Sequence, residues 1–575
     1  MIRPESIRKN RWKIAPALEP SAKEQFAQFH PILSQILFNR GLTNPAQIQA
    51  FLEGHYLENN DPFLLADMDL AVSRISKAIS NDEMIVIYGD FDADGVTATV
   101  LLTEALRGLG LERSKVRPYI PDRVDEGYGL NTGAIERIND FGASLIITVD
   151  CGIRSIAEVA YANELGLDVI ITDHHSLGSK LPPAQAIINP KRDDSAYPDR
   201  MLAGVGIAFK LAQALYQALP ERAKINLDSL LDLVAVGTVA DLAPLNAENR
   251  QLVTAGLQVL NQLQRPGLSA LAAVSGLKSG AITAESIGFS IGPRINAAGR
   301  LDHAYSAARL LAVTNDYSAR QLADELNSLN RKRQQLTAEL GELAEEMIDS
   351  RDQIIIAYDE RFQSGLVGLV ASRLAERNYR PAIIIEKGSD MSRGSCRSIP
   401  EFNITEALDQ VTDLLVRYGG HAQAAGFTVK NENLELFASR MRDIAFQALS
   451  EQELVPSIEI DAEIEIADID WALYENLALL EPTGQGNPTP VFLSRNVEVI
   501  YKRAVGQDGS HLQLRLVDSN GGYKEQSIPA IAFRQGDWET TLPSHVDIVY
   551  SISLNEWNGQ RNLQLVIKDM RPAAS

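Results

Sequence analysis

The sequence predicts an α/β protein in which a parallel-sheet domain is joined by a long helix to a smaller α/β domain and followed by a C-terminal antiparallel β-barrel. Three observations predict it. Between Met84 and Asp173, the Val- and Ile-rich runs MIVIYGD, SLIITVD and DVIITD alternate with helix-like stretches such as TATVLLTEALRGLG, the rhythm of parallel strands with helical crossovers. From Asp316 to Ser350 the chain has no Pro, a single Gly and many Ala, Leu, Glu, Gln and Arg residues, which predicts one long helix. Beyond Ile458, alternating segments such as VEVIYKRAV, HLQLRLVD and VDIVYSISL are separated by Gly, Asn and Asp turns, as in a small barrel or sandwich.

The elements between these landmarks follow the same logic. Residues 200–316 read as mostly helical, and QIIIAYDE, a helical GLVGLVASRLAER, PAIIIEK and a helical ITEALDQVTDLLVRYGG repeat the α/β rhythm after the long helix. The expected division is an N-terminal extension over 1–60, a first domain over 61–315, a connecting helix over 316–350, a second domain over 351–450 and the barrel over 458–575.

Composition narrows the function classes. A chain of 575 residues with 45% hydrophobic and 22% charged side chains is ordinary globular material. No stretch of about 18 uninterrupted apolar residues occurs, and Met1 to Ala15 has no apolar signal segment, so a cytoplasmic protein with no membrane association is expected. Cys151 and Cys396 stand alone in the sequence, without the spacing of a zinc site or a disulfide framework. The net charge of -21 argues against coating nucleic acid by bulk electrostatics, yet it leaves room for a metal-filled cleft lined by a few arginines.

Four short segments carry the chemistry. Each of the three strand-like runs ends in Asp, and open parallel sheets collect ligands beyond the carboxyl ends of their strands. In YGDFDADGVTAT, Asp90, Asp92 and Asp94 alternate, which on an extended segment places them on one face. Carboxylates packed so tightly call for hard divalent cations. Asp150 ends the strand of TVDCGI, and Asp173, His174 and His175 follow the next strand in TDHHSLG. Adjacent imidazoles at a strand end are costly to bury yet natural as ligands or acid/base groups. Asp241 in VAVGTVADLAPL stands in an apolar context that requires a cation or an Arg to answer it.

Together, D-F-D-A-D-G, V-D-C-G, D-H-H and G-T-V-A-D resemble the four motifs of the DHH phosphoesterase superfamily. The resemblance implies two divalent ions, Mg²⁺ or Mn²⁺, held by Asp92, Asp94, Asp150, His174 and Asp241, with Asp150 as the bridge. It implies catalytic roles for His175, Asp150 and Asp90. Pyrophosphatases of the superfamily carry a His where this chain has Tyr88, and that departure favours the nuclease branch. Two such ions activate water and hold nonbridging phosphate oxygens, so no covalent nucleophile is required.

SRGSCRSIPEFN supplies Arg393, Ser395, Arg397 and Ser398, and RYGGHAQAAGFTV supplies Gly419, Gly420 and His421. Arginine forks, hydroxyls and close-approaching backbone amides all suit a phosphate. These segments resemble the DHHA1 domain that accompanies DHH cores. GPRINAAGRLDH, with Arg294, Asn296 and Arg300, and LLEPTGQGNPTPVF resemble segments of the RecJ family within that superfamily. What the resemblance implies is an exonuclease that degrades single-stranded DNA from its 5′ end to mononucleotides, in DNA repair and recombination. It also implies recruitment by a single-strand-binding protein and a helicase. An OB-fold at the C-terminus would hold the strand through aromatics beside basic residues, with Tyr501, Lys502, Arg503, Arg515, Tyr523 and Lys524 as candidates. A monomer is expected. The competing readings are a phosphodiesterase for short oligonucleotides or cyclic dinucleotides, and a noncatalytic DNA-binding scaffold.

Overall fold

The computed structural model describes residues 10–19, 26–123, 126, 127, 129–506, 508–518, 527–557 and 559–573. They form two compact units, one from Glu58 to Leu454 and the other from the described parts of 1–57 and 455–575.

The first unit opens with a five-stranded sheet, all parallel, made of β1 (Ile85–Gly89), β2 (Val116–Tyr119), β3 (Leu145–Val149), β4 (Asp168–Thr172) and β5 (Ala186–Ile188) in the order β2-β1-β3-β4-β5. Both faces are covered, which is why these strands read as continuous apolar runs. Side chains alternate between two cores: Ile85 and Ile87 join one with Leu102 and Phe209, whereas Val86 and Tyr88 join the other with Ile138 and Val159. Helix α1 (Ala93–Gly108) follows β1, and α2 (Gly204–Ala218) and α3 (Leu231–Ala240) pack against it. Helices α4 (Gly292–Leu301), α5 (Tyr305–Ala312) and α6 (Asp316–Glu345) complete the first half. The long helix is 30 residues and stops short of the expected Ser350, because Glu346 already caps it.

The second half is a mixed sheet of β6 (Ile355–Asp359), β7 (Ala382–Glu386), β8 (Met391–Arg397), β9 (Leu415–His421) and β10 (Ala424–Lys430), in the order β9-β10-β8-β7-β6, with α7 (Val367–Asn378) on one face. Only β6 and β7 are parallel; the remaining ladders are antiparallel. The expected helix over ITEALDQVTDLLVRYGG is confined to Ile404–Asp409, and LVRYGGH is strand β9. The ladder to β10 decides this, since Gly419 and Gly420 find pairing partners in Gly426 and Ala425, whereas neither favours a helix.

In the other unit the strands Phe492–Val505, His511–Asp518, Ile528–Ala532, Gln560–Pro572 and His545–Trp557 pair in that order, and the last returns to the first, closing a small barrel. The sequence sets 1–60 apart as an extension, but Leu33, Ile36, Leu37 and Ile48 share one core with Phe492, Leu514, Ile548 and Leu565. Arg11–Ile14 pairs with Ser457–Ile460. Among the described residues no helix is long and apolar enough to cross a membrane.

Candidate active site

Parallel strands deliver their carboxyl ends to one side of a sheet. Here β1, β3 and β4 are followed at once by Asp90, Asp150 and Asp173. The extended run expected through Asp94 does not form, because the chain turns directly into α1. Asp92 caps that helix, accepting from the backbone N–H groups of Asp94 and Gly95 at 3.0 and 3.1 Å, and Asp94 lies in its first turn. Gly95 permits the turn: a Cβ there would stand 2.6 Å from the backbone of Asp90. The Asp residues nevertheless converge, through the turn rather than through strand alternation.

Three overlapping groups of donor atoms result, namely Asp90 with Asp92 and Asp150, Asp150 with His174 and His175, and Asp94 with His174 and Asp241, each with its ligand atoms within 4.8 Å of one another. Asp150 and His174 each belong to two groups. Asp150 is buried and holds a left-handed backbone conformation, φ 62°, of the sort that collects at functional sites. His174 Nε2 is 3.1 Å from Asp150 Oδ1 and its Nδ1 is 3.8 Å from Asp241 Oδ2.

The donors fit a pair of divalent cations. Buried polar atoms ordinarily find partners, yet among the described residues Asp90 Oδ1 has none, and Asp150 Oδ1 and His174 Nε2, though 3.1 Å apart, make no hydrogen bond to each other or to any other group. Burial, reinforced by the neighbouring carboxylates, pushes Asp94 up to about 7 and Asp241 up to about 9, and drives Asp90 and Asp150 well above the ordinary carboxylate range. Burial, with His175 alongside, pulls His174 down to about 3, leaving a neutral imidazole suited to a cation. Such a cluster calls for positive charge at its centre.

Asp173 stands one step behind. Its carboxylate accepts from the backbone N–H of Ile153 at 2.9 Å and sits 2.7 Å from Nδ1 of His175. Burial works against the charged form of His175, but that contact outweighs it and raises the pKa. Glycines shape the walls as well. A Cβ at Gly204 would lie 2.6 Å from Cβ and Oδ1 of Asp150, and one at Gly237 would lie 2.9 Å from Asp94 Oδ1. The N–H groups of Gly204 and Val205, opening α2, donate to Asp94 at 2.7 and 2.8 Å.

On the second half, direct pairing aligns Arg397 with Ala424 and His421, and Ser395 with Gly426 and Gly419. Opposed residues share a face, so Arg393, Ser395, Arg397, Gly419 and His421 form one row whose small residues leave it shallow. Gly420 alternates to the other side, where a Cβ would meet Ala425. Ser398 turns away, its hydroxyl donating to the Phe402 carbonyl at 2.6 Å. Arg300 reaches this half, donating to the Gly365 carbonyl at 3.1 Å. Burial, then Arg123 and Arg333, lower its pKa, while Asp92 opposes and Arg397 adds to the lowering. Two residues grouped with the substrate binders are engaged inside the fold. Asn296 accepts from the N–H of Ala93 at 2.8 Å and so anchors the start of α1, and Arg294 donates to Asn327 and to the Ser290 carbonyl at 3.1 and 2.7 Å.

Family models match the chain over 84–238 (DHH family, N-terminal domain), 351–446 (DHHA1 domain) and 460–569 (RecJ OB domain). The chain is 40% identical over 570 residues to the single-stranded-DNA-specific exonuclease RecJ of Bacillus subtilis, covering 98% of this chain and 71% of that one. It is 34% identical to the Escherichia coli protein of the same description, covering 95% and 96% respectively. The crystal structure of RecJ in complex with Mn²⁺ from Thermus thermophilus matches with a TM-score of 0.83 at 31% identity, over 98% of this chain and 80% of that chain. The chain belongs to the RecJ family.

Its RecJ OB domain puts Tyr501 opposite Arg515 and Arg503 opposite Gln513 on neighbouring strands. Tyr501 is exposed, whereas Lys502 donates to the Leu542 carbonyl at 2.7 Å. Tyr523 and Lys524 lie outside the described residues. Sequence reading missed Arg123 and Lys191. The Arg123 guanidinium carbon lies 4.8 Å from the centre of the Phe91 ring; burial lowers its pKa, while Asp90 and Asp92 oppose that. Lys191 donates to the His174 carbonyl. The signal for Arg123 was there: Val116–Tyr119 is a further parallel strand whose carboxyl end faces the same side, but four residues including a Pro are hard to read as a strand.

Proposed function

We propose that this chain is a single-stranded-DNA-specific exonuclease that hydrolyses the strand from its 5′ end by a two-metal mechanism and releases 5′-mononucleotides, acting in DNA repair and recombination in the cytoplasm. The observation that carries the reading is the cluster of Asp90, Asp92, Asp94, Asp150, His174 and Asp241, in which three buried ligand atoms make no hydrogen bond among the described residues, in the same compact unit as an arginine-bearing half.

Two Mg²⁺ or Mn²⁺ ions, when bound, supply Lewis acidity to the phosphoryl oxygens and an activated water. The ligands proposed are Asp92, Asp94, Asp150, His174 and Asp241, with Asp150 shared and Asp90 beside it. Asp173 orients His175 through Nδ1 and favours its charged form, which suits it to steady charge developing on the reacting phosphate or to protonate the leaving oxygen. Arg397 and Arg393, with Ser395, His421 and the backbone around Gly419 and Gly420, grip the 5′-terminal phosphate. Arg300 joins the two sides, while Asn296 and Arg294 support the helices beneath. A monomer recruited by a single-strand-binding protein and a helicase completes the proposal.

Digestion of a single-stranded oligonucleotide labelled at either end, with Mg²⁺, Mn²⁺ or EDTA and beside its duplex, tests the reading. Metal-dependent release of 5′-terminal mononucleotides from the single strand alone is expected; release from the 3′ end, or cleavage of dinucleotides only, contradicts it. Two variants probe the division of labour. Arg397→Ala weakens binding of a 5′-phosphorylated strand by about tenfold, the scale of a lost charge-assisted contact, while metal affinity by calorimetry stays unchanged. His175→Ala lowers kcat by on the order of 10²-fold with strand affinity preserved, and Asp173→Asn lowers it in part; a variant that changes only KM would remove His175 from the chemistry.

A further inference from the structure

A cleft runs beside β2, the edge strand of the first sheet, distinct from the metal cluster. Its narrow part, about 190 Å³, is lined by Thr103, Arg107, Arg113, Tyr305 and Arg309 between small apolar side chains. Its wider part, about 510 Å³, shares Tyr305 and Arg309 and adds Phe141 and His303. In a chain of net charge -21, this concentration of guanidinium groups requires a reason.

The arginines are answered only in part within the protein: one terminal nitrogen of Arg107 donates to the Val116 carbonyl at 3.2 Å. Glu104 lines the narrow part too, but both its oxygens are taken by Arg265, at 2.8 and 3.1 Å. Among the described residues Arg107, Arg113 and Arg309 form no ion pair. Burial lowers the pKa of Arg107 and the like charge of Arg113 lowers it further, with Glu104 and Tyr305 opposing but not reversing the shift. Two buried donors in the same lining, Arg107 Nε and Thr103 Oγ1, have no hydrogen-bond partner among the described residues. Leaving buried polar groups unmatched is costly, and a bound anion would supply both acceptors and countercharge.

The shape indicates what the anion is attached to. Tyr305 is exposed in the throat between the two parts, and Phe141 and His303 add flat surface beyond it, as sites for nucleobases do. We infer that the cleft binds a nucleoside monophosphate, its phosphate among Arg107, Arg113 and Arg309 and its base against Tyr305. An extended acidic peptide fits less well, because Asp302 and Glu325 line the wide part it would have to cross.

The inference does not depend on the reaction proposed above, and its test avoids catalysis. Binding of dAMP to the full chain in EDTA is measured by calorimetry, with inorganic phosphate and an acidic peptide in separate titrations. A saturable site is expected that is weakened at least about tenfold in the Arg113→Ala/Arg309→Ala variant and retained in Arg397→Ala, which separates it from the arginine row of the second half. Tyr305→Ala should weaken dAMP while leaving inorganic phosphate unaffected. Where thermal melting shows the double variant to be damaged, crosslinking of an azido-adenine nucleotide to the unaltered chain reads the same site, with labelled peptides expected from 117–119 or 303–309. Equal binding by parent and a folded double variant, no saturable binding, competition by the peptide alone, or crosslinks confined to the second half would each overturn the assignment.

Discussion

Asp150→Ala abolishes turnover, with a fall on the order of 10³-fold or more, while the chain remains folded. The expectation rests on position rather than on charge alone. Asp150 is the carboxylate common to two of the three donor groups and lies 3.1 Å from His174, so its loss opens both halves of the cluster. Removing it also relieves crowding, because Asp94, Asp92, Asp90 and Asp241 all disfavour its ionised form after burial has done so. The variant should therefore melt no lower than the parent in EDTA, yet lose most of the rise in Tm that Mn²⁺ gives the parent. Calorimetric melting with and without Mn²⁺, beside a single-turnover digestion, reads both effects. A variant that keeps a tenth of parental activity would show that Asp150 does not bridge.

Gly204→Ala leaves every proposed ligand in place and still costs on the order of 10²-fold in kcat, the scale expected when reacting groups are displaced by about 1 Å. The added methyl would stand 2.6 Å from Asp150 Cβ, too close to be accommodated without moving that side chain. The same residue's N–H holds Asp94 at 2.7 Å, so the displacement spreads to a second carboxylate. Mn²⁺ titration of this variant should show weakened affinity with unchanged secondary structure by circular dichroism. Parental affinity would mean that the α2 start yields instead of the carboxylate. The comparison with Gly206→Ala is informative, since the nearest atom to a Cβ there is Leu202 Cβ at 3.6 Å, an ordinary contact, and little change is expected.

These two variants also mark what was legible in the sequence. Asp90, Asp150 and Asp173 could be read because each follows a short apolar run, and a parallel sheet sends all such ends to one side. His174, His175 and Asp241 could be read because their types are costly where they stand. Gly204 could not: it matters only because α2, more than fifty residues beyond Asp150 in sequence, abuts it in space. Asp173 was seen but given no task, since its contact with Nδ1 of His175 depends on a side-chain arrangement that spacing does not encode. The N-terminal residues were set apart for a similar reason, their partners in the barrel lying over 400 positions away. LVRYGGH misled because a helical run before it was carried too far, and only the β10 ladder reveals the strand.

The hydrogen bond from Arg300 to the Gly365 carbonyl has a consequence for the length of what is cut away. It stitches the half that carries the metal ligands to the half that carries the arginine row, and both lie in one compact unit. If the arginine row grips the terminal phosphate and the metal cluster cuts, as proposed, their separation acts as a ruler. Each bite would then have the same size whatever the sequence or length of the strand behind it, and step size would be a property of the scaffold, which a side chain at Gly365, crowding the Arg300 backbone, would reset.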